Sequence, residues 1–283
     1  MGMIDSDAAS RRAVALRTNQ RCYDALAAAR AALCQPASDA EMAHPLRAVD
    51  PLGWLGASIA GKTVLCLAAG GGRQSALYAS AGANVTVVDL SPAMLELDRQ
   101  VARERALSIR AIQGSMDKLD MLAGESFEIV VHPVSTCYLP DVTPVFREVA
   151  RVLRAGGVYV SQHKSPISLQ ASCTMNADSR YGLEHTYYRD DPVPVSTESN
   201  SVAGRLRERG AVEYLHRLEQ LIGGICRSGM TIEDFVEPLH ADDSAGAGSF
   251  ADRARYIAPY LRIKARKGSR MPQSKLILNS HAS

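Results

Sequence analysis

Paired cysteines, apolar runs of membrane-spanning length and a strong charge bias are all missing from this 283-residue chain. The cysteines, at 22, 34, 66, 137, 173 and 226, form no C-x-x-C pair, so reduced thiols are expected rather than disulfides or zinc ligands. No stretch of ~18 apolar residues occurs, so no membrane-spanning helix is expected. A net charge of +2 does not demand nucleic acid or an anionic membrane as partner. The basic run Arg262, Lys264, Arg266, Lys267, Arg270, Lys275 is expected as a solvated sheet edge and tail, with nucleic-acid binding as the alternative. The first residues carry no basic-then-apolar signal pattern and fit a myristoylation site poorly, so a cytoplasmic protein is expected. The 46% apolar and 22% charged content is that of an ordinary globular protein, and the length allows one core with additions.

What is present centres on residues 63–89. An uncharged apolar run at 64–67 suits a strand buried on both faces. Ala68-Ala69-Gly70-Gly71-Gly72 follows, then a helical segment, then a second apolar run ending in Asp89. Glycines let the chain turn sharply and let a ligand approach the backbone. The helix behind aims unpaired N–H groups at that ligand. An acid about 20 residues past the turn reaches a ribose hydroxyl pair. The alternative is a tight turn with a solvated aspartate. A phosphate loop would need Gly-Lys-Ser/Thr, and Gly72-Arg73-Gln74-Ser75 stands there. A dinucleotide turn would need glycine where Ser75 stands. A nucleoside with an amino-acid tail needs only the turn and the acid.

On these residues the chain resembles the class I S-adenosylmethionine-dependent methyltransferases, whose motif reads acid-x-Gly-x-Gly-x-Gly. Cys66, Ala68, Gly70 and Gly72 occupy the matching positions, so the acid and the first glycine are replaced. The resemblance is strongest over 63–163 and includes the ending FREVARVLRAGGVYV. It implies an α/β fold with a doubly wound, seven-stranded Rossmann-like sheet, mostly parallel with an antiparallel last strand. It implies S-adenosylmethionine as cofactor, S-adenosylhomocysteine or methylthioadenosine as product, and no metal. The residues expected around the cofactor are Tyr23 from an N-terminal helix, Ala68, Ala69, Gly70, Gly72, Gln74, Asp89 and Leu90. Ser115, Met116 and Asp117 are expected at the adenine, with Asp117 taking over for the acid that Ser115 replaces, and His132 and Pro133 near the methionine.

Along the chain, residues 8–34 read as one or two helices, interrupted at Asn19-Gln20-Arg21. Trp54 is expected to dock this cap onto the core. Ser91-Pro92 starts a helix. Strands are expected at 109–112, 126–131 and 158–161, with an amphipathic helix over 142–153. His132, Ser135, Tyr138 and His163 leave strand ends, where ligands bind in open α/β sheets. Residues 164–212 lack periodicity and carry Tyr181, His185, Tyr187, Tyr188 and Arg189; a lid or substrate insertion is expected, a surface loop being the alternative. A helix over 213–227 follows, with Leu215 and Leu218 facing the core and His216 solvated, then strands over 231–239 and 255–265, the second with Pro259 arguing for a bulge or a late start.

The expected organisation is a helical cap (1–58), a cofactor-binding core (59–163), the insertion (164–212), the remaining sheet (213–270) and a tail (271–283). The expected chemistry is in-line methyl transfer to a small-molecule acceptor by a monomer or homodimer, with His132, His163 and His185 as candidate bases and Tyr187 as a further candidate. Two alternatives stay open. One is intramolecular cyclisation of the cofactor to azetidine-2-carboxylate and methylthioadenosine, with no other partner. The other is a non-catalytic nucleoside-binding regulator.

Overall fold

The computed structural model describes residues 2–194 and 201–268; the expected tail at 271–283, with Arg270 and Lys275, and part of the insertion lie outside them. Of the one or two helices expected here, one forms, α1 (Gly2–Ala28), and it runs through Asn19-Gln20-Arg21 without a break. Asn19 does not break it because its amide is drawn inward. It donates to the carbonyls of Tyr138 and Val212 and accepts from the Val212 amide, leaving the helix backbone uncontested. Two short helices follow, α2 (Asp39–Ala43) and α3 (Pro45–Val49), the first begun by a reciprocal Ser38–Glu41 capping box.

The core then alternates β1 (Thr63–Leu67), α4 (Gln74–Ser80), β2 (Asn84–Asp89), α5 (Pro92–Glu104), β3 (Ile109–Gln113), β4 (Phe127–His132), α6 (Thr143–Val152) and β5 (Leu153–Lys164). Ser91 caps α5 by accepting from the Met94 amide, with Pro92 in the first turn. After β5 come α7 (Pro166–Gln170), α8 (Ser201–Leu206), α9 (Gly224–Arg227) behind a π turn at Glu219–Gly223, β6 (Met230–Val236), α10 (Phe250–Arg253) and β7 (Tyr260–Lys267).

The seven strands form one sheet in the order β3-β2-β1-β4-β5-β7-β6. β1 to β5 pair in parallel, and β7 runs antiparallel between β5 and β6. β1 shows how the sheet is buried. Leu65 and Leu67 enter a core with Val130, Phe146 and Tyr159, whereas Val64 and Cys66 enter one with Tyr78, Val87 and Leu95. Period-two alternation with both faces apolar is why the run carries no charge. All six cysteines are free thiols.

Four expectations need correction. The helix over 213–227 starts only at Glu219, because Glu213 pairs with Val193 in an isolated bridge and its carboxylate is taken by Lys164 and Arg207. His216 is 4% exposed rather than solvated, bonding the carbonyls of Thr136 and Leu139, and Leu218 faces outward. The last strand takes the late start that Pro259 argued for, beginning at Tyr260, because proline has no N–H to give the ladder. The basic strand is not an edge: β7 is interior, and its Lys264 and Arg266 pair with Glu233. Trp54 does dock the cap region, donating from Nε1 to Asp234 on β6 at 2.9 Å.

Candidate active site

A cavity of about 420 Å³ opens at the carboxyl ends of the parallel strands, under α1. Its wall follows the strand order. Gly114, Ser115 and Met116 come after β3, Asp89, Leu90 and Ser91 after β2, and Ala68, Ala69 and Gly70 after β1. Pro133, Val134 and Ser135 come after β4, Lys164 ends β5 and Tyr260 starts β7. Gln74 and Arg73 add the start of α4, and Leu16, Asn19, Gln20 and Tyr23 the underside of α1. Of the residues expected at the cofactor, Gly72, Asp117 and His132 are not in this wall.

The β1–β2 end is built around Asp89. Its Oδ2 accepts from the Gly70 amide at 2.9 Å and its Oδ1 from the Ser91 amide at 2.9 Å. Burial pushes its pKa up, while these amide bonds pull it down. A Cβ on Gly70 would sit 2.9 Å from Cγ of Asp89 and from Cβ of Met94, so only glycine fits between the acid and α5. Ala68, in the place of the first motif glycine, keeps the left-handed backbone at φ +48°. Gly72 lies behind the turn against Leu97 and Val101. The amides of Gly71 and Gly72 turn away from the cavity to the carboxylate of Asp98 on α5, which is fully buried and whose one sequence signal is a charge at the spacing of that helix's buried face.

Asp117 is tied down elsewhere. Arg12 of α1 grips it with two bonds, of 2.5 and 2.9 Å, and Ser115 donates to it. Burial alone would raise its pKa; the Arg12 and Ser115 bonds outweigh that and hold it low. Ser115 and Met116 remain at the cavity wall, while Asp117 of the same turn anchors α1 instead.

The far end is walled by Tyr23, Tyr138, Lys164, Tyr260 and Glu208. The Tyr23 hydroxyl donates to that of Tyr138 at 2.7 Å, their rings edge to face. Burial raises both phenols far above their usual range, so both stay protonated. Lys164 donates to Glu213 at 2.5 Å, and Arg207 holds the other oxygen of Glu213, all three buried. Glu208 is different. No described side chain donates to its carboxylate, and burial, partly offset by Lys164, raises its pKa. Sequence reasoning missed Glu208 because it lies in the stretch without periodicity.

The four candidate catalytic side chains are placed away from the cavity wall. His132 is 2% exposed and shares hydrogen bonds with Tyr159 at 2.8 Å and Ser135 at 2.6 Å, and burial pushes its pKa down to about 3. His163 is fully buried between Thr136 and Ser161, its pKa also lowered by burial. His185 is half-buried within the insertion, its main chain bonded to Gln170. The Tyr187 hydroxyl accepts from the Leu218 amide. The insertion's tyrosines do not form the wall either: Tyr181 donates to Asp252 and Tyr188 is exposed. The strand ends supply the aromatic wall instead.

These residues fit a nucleoside with a charged amino-acid tail: a carboxylate for the ribose, a close-approach glycine beside it and an apolar Met94 and Met116 lining. The chain matches a family model described as "Methyltransferase domain" over residues 65–161. It is 35% identical over 179 residues to the uncharacterized methyltransferase YbaJ of Bacillus subtilis, covering 63% of this chain and 69% of that protein. It is 32% identical over 117 residues to a ubiquinone biosynthesis O-methyltransferase of Xanthomonas oryzae, covering 40% of this chain and only 49% of that enzyme. Its fold matches an S-adenosylmethionine-dependent methyltransferase of Mesorhizobium loti with a TM-score of 0.62 at 22% identity, covering 80% of this chain and 100% of that one. The glycine turn and the acid ending β2 thus sit in the domain these proteins share, and the chain belongs to the class I S-adenosylmethionine-dependent methyltransferases.

Proposed function

We propose that the protein methylates a small molecule at a hydroxyl or amine, with Glu208 as the base that takes the acceptor's proton. The observation that carries this is the position of Glu208: a carboxylate without a described side-chain partner, in the cavity wall beyond the strand ends that face the cofactor. With adenine over β3, ribose over β2 and the amino-acid tail over β1, the strand order leaves the β4, β5 and β7 ends for the acceptor. S-adenosylmethionine, when bound, supplies an electrophilic methyl group. Tyr138 and Tyr260 offer aromatic faces and α1 roofs the compartment, which suits a small acceptor rather than a polymer. A carboxylate with a raised pKa is a stronger base than a solvated one.

The test is mass spectrometry of products after incubation with methyl-deuterated cofactor and a small-molecule extract. A labelled hydroxyl or amine compound is expected, with turnover lowered roughly 10²–10⁴-fold by Glu208→Gln. Methylthioadenosine formed from cofactor alone would overturn transfer in favour of cyclisation or lysis. Cofactor binding with no labelled product would leave the regulator reading in its place.

A further inference from the structure

The motif this chain resembles carries an acid on β1, where Cys66 stands here. A carboxylate nevertheless lies beneath the glycine turn, and it comes from α5. Asp98 is 0% exposed. Its Oδ2 accepts from the Gly71 amide at 3.1 Å and its Oδ1 from the Gly72 amide at 3.2 Å. The Ser75 hydroxyl, in the first turn of α4, donates to Oδ1 as well. By spacing, position 98 belongs to the buried face of α5 with Met94, Leu95, Val101 and Ala102, and it alone on that face is charged. An aspartate there has to be compensated, and the turn's own donors compensate it. Cys66 is its neighbour: burial first, then the Asp98 charge, raises the Cys66 thiol.

We propose that Asp98 is the positioning residue for the cofactor turn, supplying from α5 the acid absent from β1, and that cofactor binding is linked to release of the Asp98 proton. The proposal rests on this cavity being the S-adenosylmethionine site.

Ionised, Asp98 accepts from all three donors in charge-assisted bonds. Protonated, it makes the Ser75 hydroxyl turn round to accept and holds the Gly71 and Gly72 amides only as a neutral, weaker acceptor. Burial pushes Asp98 up to about 7, against the pull of Ser75 and the two amides, so both forms exist near neutral pH. Asp89 at the end of β2 is the charged group facing it and raises it further. β1 contributes the Cys66 thiol and α4 contributes Ser75. β3 brings apolar Ile109 and Ala111 to the cluster of Leu95, and Asp24 of α1 is occupied with Ser91. A ligand bearing an ammonium or sulfonium above the turn favours the ionised form and so expels the proton.

The experiment is isothermal titration of the intact protein with S-adenosylmethionine and with S-adenosylhomocysteine, in buffers of different ionisation enthalpy. For the wild type, affinity for S-adenosylmethionine is expected to rise about tenfold between about pH 6 and about pH 8, with proton release at the lower pH. Asp98→Asn is expected to bind both ligands at least about tenfold more weakly at about pH 8, to lose that proton release, and to keep its ligand-free melting temperature. That last readout separates positioning from folding, because Asn removes the cost of burying a charge while it gives up one turn bond, and the two offset each other. In the Asp98→Ala background, Cys66→Asp is expected to bring affinity back. An Asp98→Asn protein that keeps wild-type affinity and proton release overturns the proposal, as does a wild type with pH-independent binding. A wild type that binds neither ligand overturns the cofactor site itself, a distinct result.

Discussion

The amide of Gly70 donates to Oδ2 of Asp89 at 2.9 Å, so the turn after β1 and the acid ending β2 act as one unit. Asp89→Ala removes the acceptor proposed for the ribose and also orphans that amide. A hydrogen bond to a charged group contributes ~1.5–3 kcal/mol, so S-adenosylhomocysteine should bind about 10- to 100-fold more weakly by calorimetry. Gly70→Ala should do similar damage by displacing the carboxylate, since its Cβ would meet Asp89 and Met94 at 2.9 Å. Unchanged affinity in Asp89→Ala would mean that the ligand does not use this acid.

Ala68 holds φ at +48° without being glycine. Ala68→Gly relieves ~1–2 kcal/mol of left-handed strain but adds unfolded-state freedom of ~0.5–1 kcal/mol. Its stability in urea should therefore equal that of wild type or exceed it by up to about 1.5 kcal/mol. Ala68→Val places a β-branched side chain on the same backbone and should destabilise by more than about 1 kcal/mol. Equal stability of the valine variant would contradict the left-handed turn.

Glu213 is 0% exposed and joins Lys164 and Arg207 beside the β5 and β7 end of the cavity. Glu213→Ala leaves two buried cations without their anion, and the expected loss is about 3–5 kcal/mol in chemical denaturation. A loss under about 1 kcal/mol would show that water reaches the cations once the glutamate is gone.

His132 sits at about 3 in the folded chain against 6.5 in the unfolded one. Between those values the unfolded chain binds the proton and the folded chain does not, so stability is lost as pH falls from about 6.5 towards 3. The slope contributed by this one residue is about 1.4 kcal/mol per pH unit. His132→Asn should flatten the acid limb of a profile of unfolding free energy against pH by that amount while leaving cofactor affinity intact. His216, pushed down to about 4, acts in the same direction. An acid limb unchanged in His132→Asn would mean that the ring is already charged in the fold.

The order of elements from β1 to β5 was legible because each depends on neighbours in the chain. Val64 to Leu67 announces a doubly buried strand, Ser91-Pro92 announces a helix start, and the spacing of Val145, Phe146, Val149 and Val152 announces one face of α6. The strand ends then place Gly70, Asp89, Ser115, Met116 and Pro133 at the cavity. The histidines misled because a residue leaving a strand end can turn either way. His132 turned into the bonds of nearby Ser135 and of Tyr159, 27 positions away on β5.

The amino-acid sequence by itself determined the α/β frame, the glycine turn and the acid opposite it, since periodicity and turn chemistry act over a few residues. Tertiary structure alone decided which acids and aromatics meet there. Asp98 reaches Gly71 across 27 positions, Lys164 reaches Glu213 across 49 and Tyr23 reaches Tyr138 across 115. Those meetings follow from how α1, α5 and the segment after β5 pack over the sheet, and packing brings together residues that no local pattern links.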